Sequence, residues 1–111
     1  MKKFIASENE KMSKTEFLKR LNYFVDLSAL SKYEISLRLG NNDNYMSRVL
    51  TGKNNIDINK FFDILDVLEI STEEFFYPDY KNYNKDKPLI ELLLKLNNSE
   101  KESLMTIFKN K

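Results

Sequence analysis

Apolar residues recur along this chain at intervals of three and four, the spacing that gathers them on one face of an α-helix. Phe17, Leu18, Leu21, Phe24 and Val25 form the first such stripe and predict a helix over 14–25. Ile35 and Leu39 mark a short second helix over 32–39, and Met46, Val49 and Leu50 a third over 43–51. Phe61, Phe62, Leu65 and Leu68 line a fourth over 58–69, and a short fifth ends near Phe76. Several starts carry the S-x-x-E spacing, in which Ser accepts from the third helical amide and Glu reaches back to the cap amide. It occurs at Ser13/Glu16, Ser31/Glu34, Ser71/Glu74 and Ser99/Glu102. At Ser7/Glu10 the same spacing is followed by no apolar face and is set aside. Asn42 and Asp57 are read as the caps of the third and fourth helices.

The pattern lapses over YPDYKNYNKDK, residues 77–87, which holds Pro78 and three tyrosines and reads as a linker or ordered loop. Pro88 then stands where a sixth helix begins, a position at which its missing N–H costs nothing. That helix carries Leu89, Ile90, Leu92, Leu93, Leu94 and Leu96 almost all round, and a seventh, from Glu100 to about Lys109, carries Leu104, Met105, Ile107 and Phe108. The chain divides into a flexible tail (1–12), a helical domain (13–76), a linker (77–87) and a C-terminal helical hairpin (88–111). The hairpin can fold back on its own domain or pair with a second copy. Its excess of apolar surface favours pairing, through Leu89, Ile90, Leu93, Leu94, Leu104, Ile107 and Phe108.

Composition agrees with an all-α fold. Only two of the 111 residues are glycine, Gly40 and Gly52, and no Asn-Gly or Asp-Gly hairpin turn is present. The chain has no cysteine and no histidine, which removes thiolate chemistry, the commonest general base and the commonest transition-metal ligands. With no phosphate-binding glycine loop and no recognisable carboxylate pair, no enzyme, catalytic residue, metal or cofactor is expected. No apolar run reaches the ~18 residues of a membrane helix. The N-terminus MKKFIASENEKMSK lacks the apolar core of a signal peptide, so a cytoplasmic protein is expected. Net charge is only +1, but it is unevenly spread. Residues 30–60 hold five bases and three acids, whereas 61–80 hold six acids and no base.

The segment LSKYEISLRLGNNDNYMSRVLTGKNN, residues 30–55, places two short capped helices either side of a tight turn opened by Gly40. That is the helix-turn-helix arrangement, whose second helix can enter the DNA major groove. Residues 17–76 resemble the lambda-repressor-like, XRE (Cro/CI-type) DNA-binding domains. The resemblance rests on Leu30-Ser31, Glu34-Ile35-Ser36, Leu39-Gly40, Tyr45-Met46-Ser47, Gly52-Lys53, Leu68-Glu69-Ile70-Ser71 and Glu74-Phe75-Phe76. The chain departs from that pattern at Leu50-Thr51, at Ile56 and at Asp43, whose carboxylate is repelled by phosphate. The resemblance implies a five-helix bundle, binding of double-stranded DNA as a homodimer, and transcriptional regulation, as a repressor of bacterial or phage type. By position it implies base contacts from Asp43, Asn44, Ser47 and Arg48, and phosphate contacts from Lys32, Asn42, Thr51, Lys53 and Asn54. The alternative is a protein-interaction module on the same fold, such as an antitoxin, an antirepressor or an inhibitor of a larger complex.

Overall fold

A computed structural model describes residues 12–110 of the chain. Of the tail expected over 1–12, only Met12 lies within the described residues. Among these there are seven α-helices, one 3-10 turn and no strand: α1 (Lys14–Leu27), α2 (Lys32–Arg38), α3 (Tyr45–Leu50), α4 (Ile58–Leu68), α5 (Thr72–Phe76), the 3-10 turn (Tyr80–Asn82), α6 (Tyr83–Lys95) and α7 (Asn98–Lys109). The chain forms two compact units, one ending at Tyr80 and one beginning at Lys81. No helix among the described residues is long and apolar enough to cross a membrane.

In the first unit the apolar stripes of five helices close on one core. Leu21, Phe24 and Val25 come from α1, Ile35 from α2, Met46 and Val49 from α3, Phe61, Ile64 and Leu65 from α4, and Phe75 from α5. Phe75 is fully buried and sits within 5.1–5.8 Å, centroid to centroid, of the rings of Phe17, Phe24 and Phe61. Burial of side chains this size supplies the main favourable term, because short helices are marginal by themselves. The second aromatic of each Phe-Phe pair behaves differently: Phe62, which the fourth stripe places inward, and Phe76 are exposed. A helix advances 100° per residue, so adjacent aromatics cannot share one narrow face. Ile64, one turn from Phe61, takes the inward place on α4 instead.

Among the described residues of this unit Arg20 is the one buried charge, 3% exposed on the inner side of α1. Its guanidinium donates to the Phe75 and Tyr77 carbonyls at 2.9 Å, and its Nε donates to the Glu16 carboxylate at 2.9 Å. The Tyr80 ring lies 4.7 Å from it. The last carbonyls of a helix lack partners along the helix, so an arginine from α1 closes the end of α5. Glu16 is drawn to Arg20, while Ser13 still accepts from the Glu16 amide at 3.0 Å.

α4 ends in a reversed turn that uses no glycine. Glu69 adopts φ 58°, and the bonds from its N–H to Asp66 and from Ile70 N–H to Leu65 complete a Schellman closure. A residue with a Cβ is strained there.

The second unit differs from its sequence reading in two places. α6 starts at Tyr83, not at Pro88, so the proline lies inside the helix and the irregular stretch is shorter than 77–87. Pro88 removes the N–H that would bond to the Asn84 carbonyl. α7 starts two residues earlier than the serine predicts. Asn97 accepts from Glu100 N–H at 2.8 Å and its own N–H donates back to Glu100 at 2.9 Å, a reciprocal box that pre-empts Ser99/Glu102. Tyr83 is buried, Ile90 and Leu104 are half-buried, and Leu89, Leu92, Leu93, Leu94, Met105, Ile107 and Phe108 are exposed.

Two stability measurements check this account. Glu69→Gly relieves the left-handed strain and raises unfolding stability by about 0.5–1 kcal/mol, net of glycine's added unfolded-state entropy. Arg20→Ala leaves the Phe75 and Tyr77 carbonyls and Glu16 without their charged partner and lowers it by about 3–5 kcal/mol. Urea unfolding reads both, and a neutral Arg20→Ala would overturn the closing role given to this side chain.

Candidate nucleic-acid interface

The site is built by two helices too short to orient themselves. α2 begins with a full reciprocal box: Glu34 N–H donates to Ser31 Oγ at 3.1 Å and Ser31 N–H donates to the Glu34 carboxylate at 3.2 Å. It ends at Gly40 (φ 75°), where Gly40 N–H bonds to Leu37 and Asn41 N–H to Ser36. A Cβ at Gly40 would meet nothing within 4 Å, so the backbone angle alone asks for glycine. α3 ends in the same way at Gly52 (φ 79°), with bonds from Gly52 to Val49 and from Lys53 to Arg48.

Between the helices stands Ser36, a polar residue with no exposed surface. Its hydroxyl donates to the Lys32 carbonyl at 2.7 Å and accepts from Met46 N–H at 3.0 Å. An amide of the first turn of α3, which no helical carbonyl can satisfy, is thereby satisfied by α2. With Ile35, Met46 and Val49 fully or almost fully buried around it, α3 has one orientation.

That orientation turns Ser47 and Arg48 outward on α3. Asn44 and Asp43 are exposed just ahead of them. Here the sequence reading is corrected: α3 starts at Tyr45, not 43, and Asn42 is not its cap. The turn closes by a backbone bond, Tyr45 N–H to Asn42 O at 3.2 Å, and Asn44 takes the cap position without a side-chain bond. The side chains of Asn42 and Asn44 therefore project from a turn and are not spent on capping. The loop after α3 folds back on Arg48. Its carbonyl accepts from Lys53 N–H at 2.9 Å and Asn54 N–H at 3.2 Å, while its Nε donates to Asn54 Oδ1 at 3.2 Å. Asn54 so aims the guanidinium and leaves both terminal nitrogens for another acceptor. The Thr51 hydroxyl donates into α3, 2.9 Å from Ser47 O, which commits its only proton. Lys32 and Lys53 are exposed.

Tyr45 lies half-buried beneath this face. Burial, with the Asp57 carboxylate as a smaller cause, raises its phenol above the ordinary range, so the hydroxyl keeps its proton. Lys60 Nζ stands 5.7 Å from its ring. Beside α3, a hollow of about 450 Å³ is lined by Thr15, Leu18, Lys19, Asn22, Lys32, Ser47, Leu50 and Thr51. Thr15, Lys19 and Asn22 were not singled out by sequence. Their spacing along α1, beside the inward stripe, is the signal that places them on the edge nearest α3. Ser36 was noted only as part of a motif. A small polar residue following a core isoleucine was its one distinguishing mark.

Neither protein-family models, nor curated proteins, nor solved structures give a match to this chain. The reading of the site therefore stands on its residues and their arrangement.

Ser36→Ala leaves the Met46 amide buried without an acceptor and costs about 1–3 kcal/mol. Ser36→Thr, which keeps the hydroxyl, loses less of that bond at the expense of an added methyl in a closed space. Denaturant titration of the two variants checks the order. Equal stability of Ser36→Ala and the parent would remove the hydroxyl as the tie between α2 and α3.

Proposed function

We propose that this chain is a sequence-specific binder of double-stranded DNA, a transcriptional repressor of the lambda-repressor-like, XRE type, that reads the major groove with α3. The observation that carries the proposal is the outward set of Asn44, Ser47 and Arg48 on and just ahead of a helix whose inner side is locked by Ser36, Met46 and Val49. Helices in a major groove read base edges through side chains of this kind. Arg48 would fork onto guanine O6 and N7 and Asn44 would pair with adenine, each worth ~1–3 kcal/mol of discrimination. Asp43 would accept from a cytosine amine and repel phosphate, so it selects against incorrect sites. Lys32, Lys53, Asn42 and the Asn54 amide group would set the register on phosphates. The acid-rich run 61–80 gives the first unit a charge asymmetry that would orient an approaching duplex.

The near-neutral chain makes a single reading head weak, and two-fold pairing would supply the missing affinity on paired half-sites. The exposed Leu89, Leu93, Leu94 and Ile107 of α6 and α7 support pairing through the second unit.

A second reading, a protein-interaction module, is favoured by a different surface. An apolar groove of about 510 Å³ lies between α1, α4 and α5 and includes the exposed Ile58, Phe62 and Phe76. Its lining is mostly apolar, with Lys14 and Asp57 as the charged groups, which suits the apolar face of an amphipathic helix of another protein.

Selection from random duplexes, followed by titration of the selected site over a salt series, tests the first reading. Affinity should fall steeply with salt, and Arg48→Ala should abolish preference at one base pair at a cost of about 1–3 kcal/mol while the melting temperature is kept. Absence of any selected motif, together with recovery of one protein partner, would favour the second. In sedimentation, Leu93→Glu combined with Ile107→Glu should shift a dimer to monomer and leave the first unit's fold intact. A parent chain that is monomeric at all concentrations would remove α6 and α7 as the pairing element.

A further inference from the structure

We infer that the hollow between α1, α2 and α3 is a seat for one phosphodiester of the DNA backbone, with Lys19 and Asn22 of α1 as its anchors beside Lys32. This rests on the DNA-binding reading above and extends it to a helix that the sequence motif does not include. The starting observation is the character of the lining. Lys19 and Lys32 supply two cations, Thr15, Asn22, Ser47 and Thr51 supply neutral polar groups, and no carboxylate is present. In contrast, the apolar groove carries Asp57 and the hollow beside Arg38 carries Asp63 and Asp66. In a chain with 17 acids and 18 bases, a concave surface with cations alone selects an anion.

The placement follows from helix geometry. Thr15, Leu18, Lys19 and Asn22 recur at three and four residues and so share one edge of α1, next to the inward stripe of Leu21, Phe24 and Val25. Ser47 and Thr51, four apart, form the facing edge at α3. Lys32 is the first residue of α2 and completes the rim. Lys19 and Lys32 are both exposed, and neither has an ion-pair partner among the described residues. Thr51 has its hydroxyl proton committed to Ser47 O, so donation into the hollow falls to the lysines, the Asn22 amide, Thr15 and Ser47. Ser47 belongs both to this hollow and to the outward face of α3. A strand read at that face would lay a backbone phosphate on the hollow that Ser47 shares with Lys19 and Lys32. A contact of this kind positions the duplex and carries no sequence information.

The test measures binding of the full-length chain to its selected duplex and to an unrelated duplex, over a salt series, for the parent, Lys19→Ala, Lys19→Glu and Lys101→Ala. Lys101→Ala removes the same charge from α7 and controls for net charge. Lys19→Ala should lower the slope of log affinity against log salt by about 0.9, the loss of one phosphate contact. It should weaken both duplexes by the same factor, leave base preference unchanged and leave melting unchanged. Lys19→Glu should weaken both further, and Lys101→Ala should match the parent. If the parent binds with a selected motif but Lys19→Ala keeps its slope and affinity, the seat is wrong and the reading of α3 stands. If Lys19→Ala changes base preference, or equals Lys101→Ala in effect, the seat is likewise overturned. If the parent binds no duplex, the DNA-binding reading falls, and the seat with it.

Discussion

The buried hydroxyl of Ser36 is the contact on which the working surface depends. α3 has six residues, fewer than two turns, and no cap side chain of its own. A helix of that length has no stability by itself. It persists because α2 supplies an acceptor for one of its first amides and because Met46 and Val49 fill the space beneath it. Both ties act on the inner side of α3. Asn44, Ser47 and Arg48 are exposed and take no part in the core, and Arg48 holds only the loop that follows, through Asn54.

Arg20 performs the corresponding task at the other end of the first unit. It holds the exit of α5 and the carbonyls of the segment that leads to Tyr80. Removing a cation from water is costly unless its donors are matched, and here Glu16 and two carbonyls match them. The positive charge is thus internal and contributes little to the outer field. The surface cations near α3 include Lys14, Lys19, Lys32, Arg48 and Lys53, whereas the acids of 61–80 belong to α4, α5 and the segments that follow each. The same chain, nearly neutral in sum, so presents one face suited to anions.

What the sequence made legible was local chemistry. Ser13, Ser31, Asp57 and Ser71 accept from the amides that their spacing indicated, and Gly40 and Gly52 take the positive φ that ends α2 and α3. These features involve residues within five positions of one another, so the sequence alone carries their physics. Where two local signals compete, spacing alone does not decide between them. Asn97 displaces Ser99 as the cap of α7, and Pro88, a residue favoured at helix starts, lies inside α6. Glu69 gave no stop signal, since its left-handed turn is imposed by the closure that follows α4 and not by its own preference.

The chain by itself determined an all-helical fold, most of its helix starts, and the segment 30–55 as the place to look for a site. Periodicity and capping are properties of neighbours in sequence, and they needed no partner from elsewhere in the chain. Only the tertiary structure decided which aromatic of each pair was inward, that Arg20 would be buried, and that Lys19 and Asn22 would share a hollow with Lys32 and Ser47. Each of these depends on residues far apart in sequence meeting at one angle between helices. That angle is set by close packing and by one serine hydroxyl, neither of which leaves a periodic trace in the sequence.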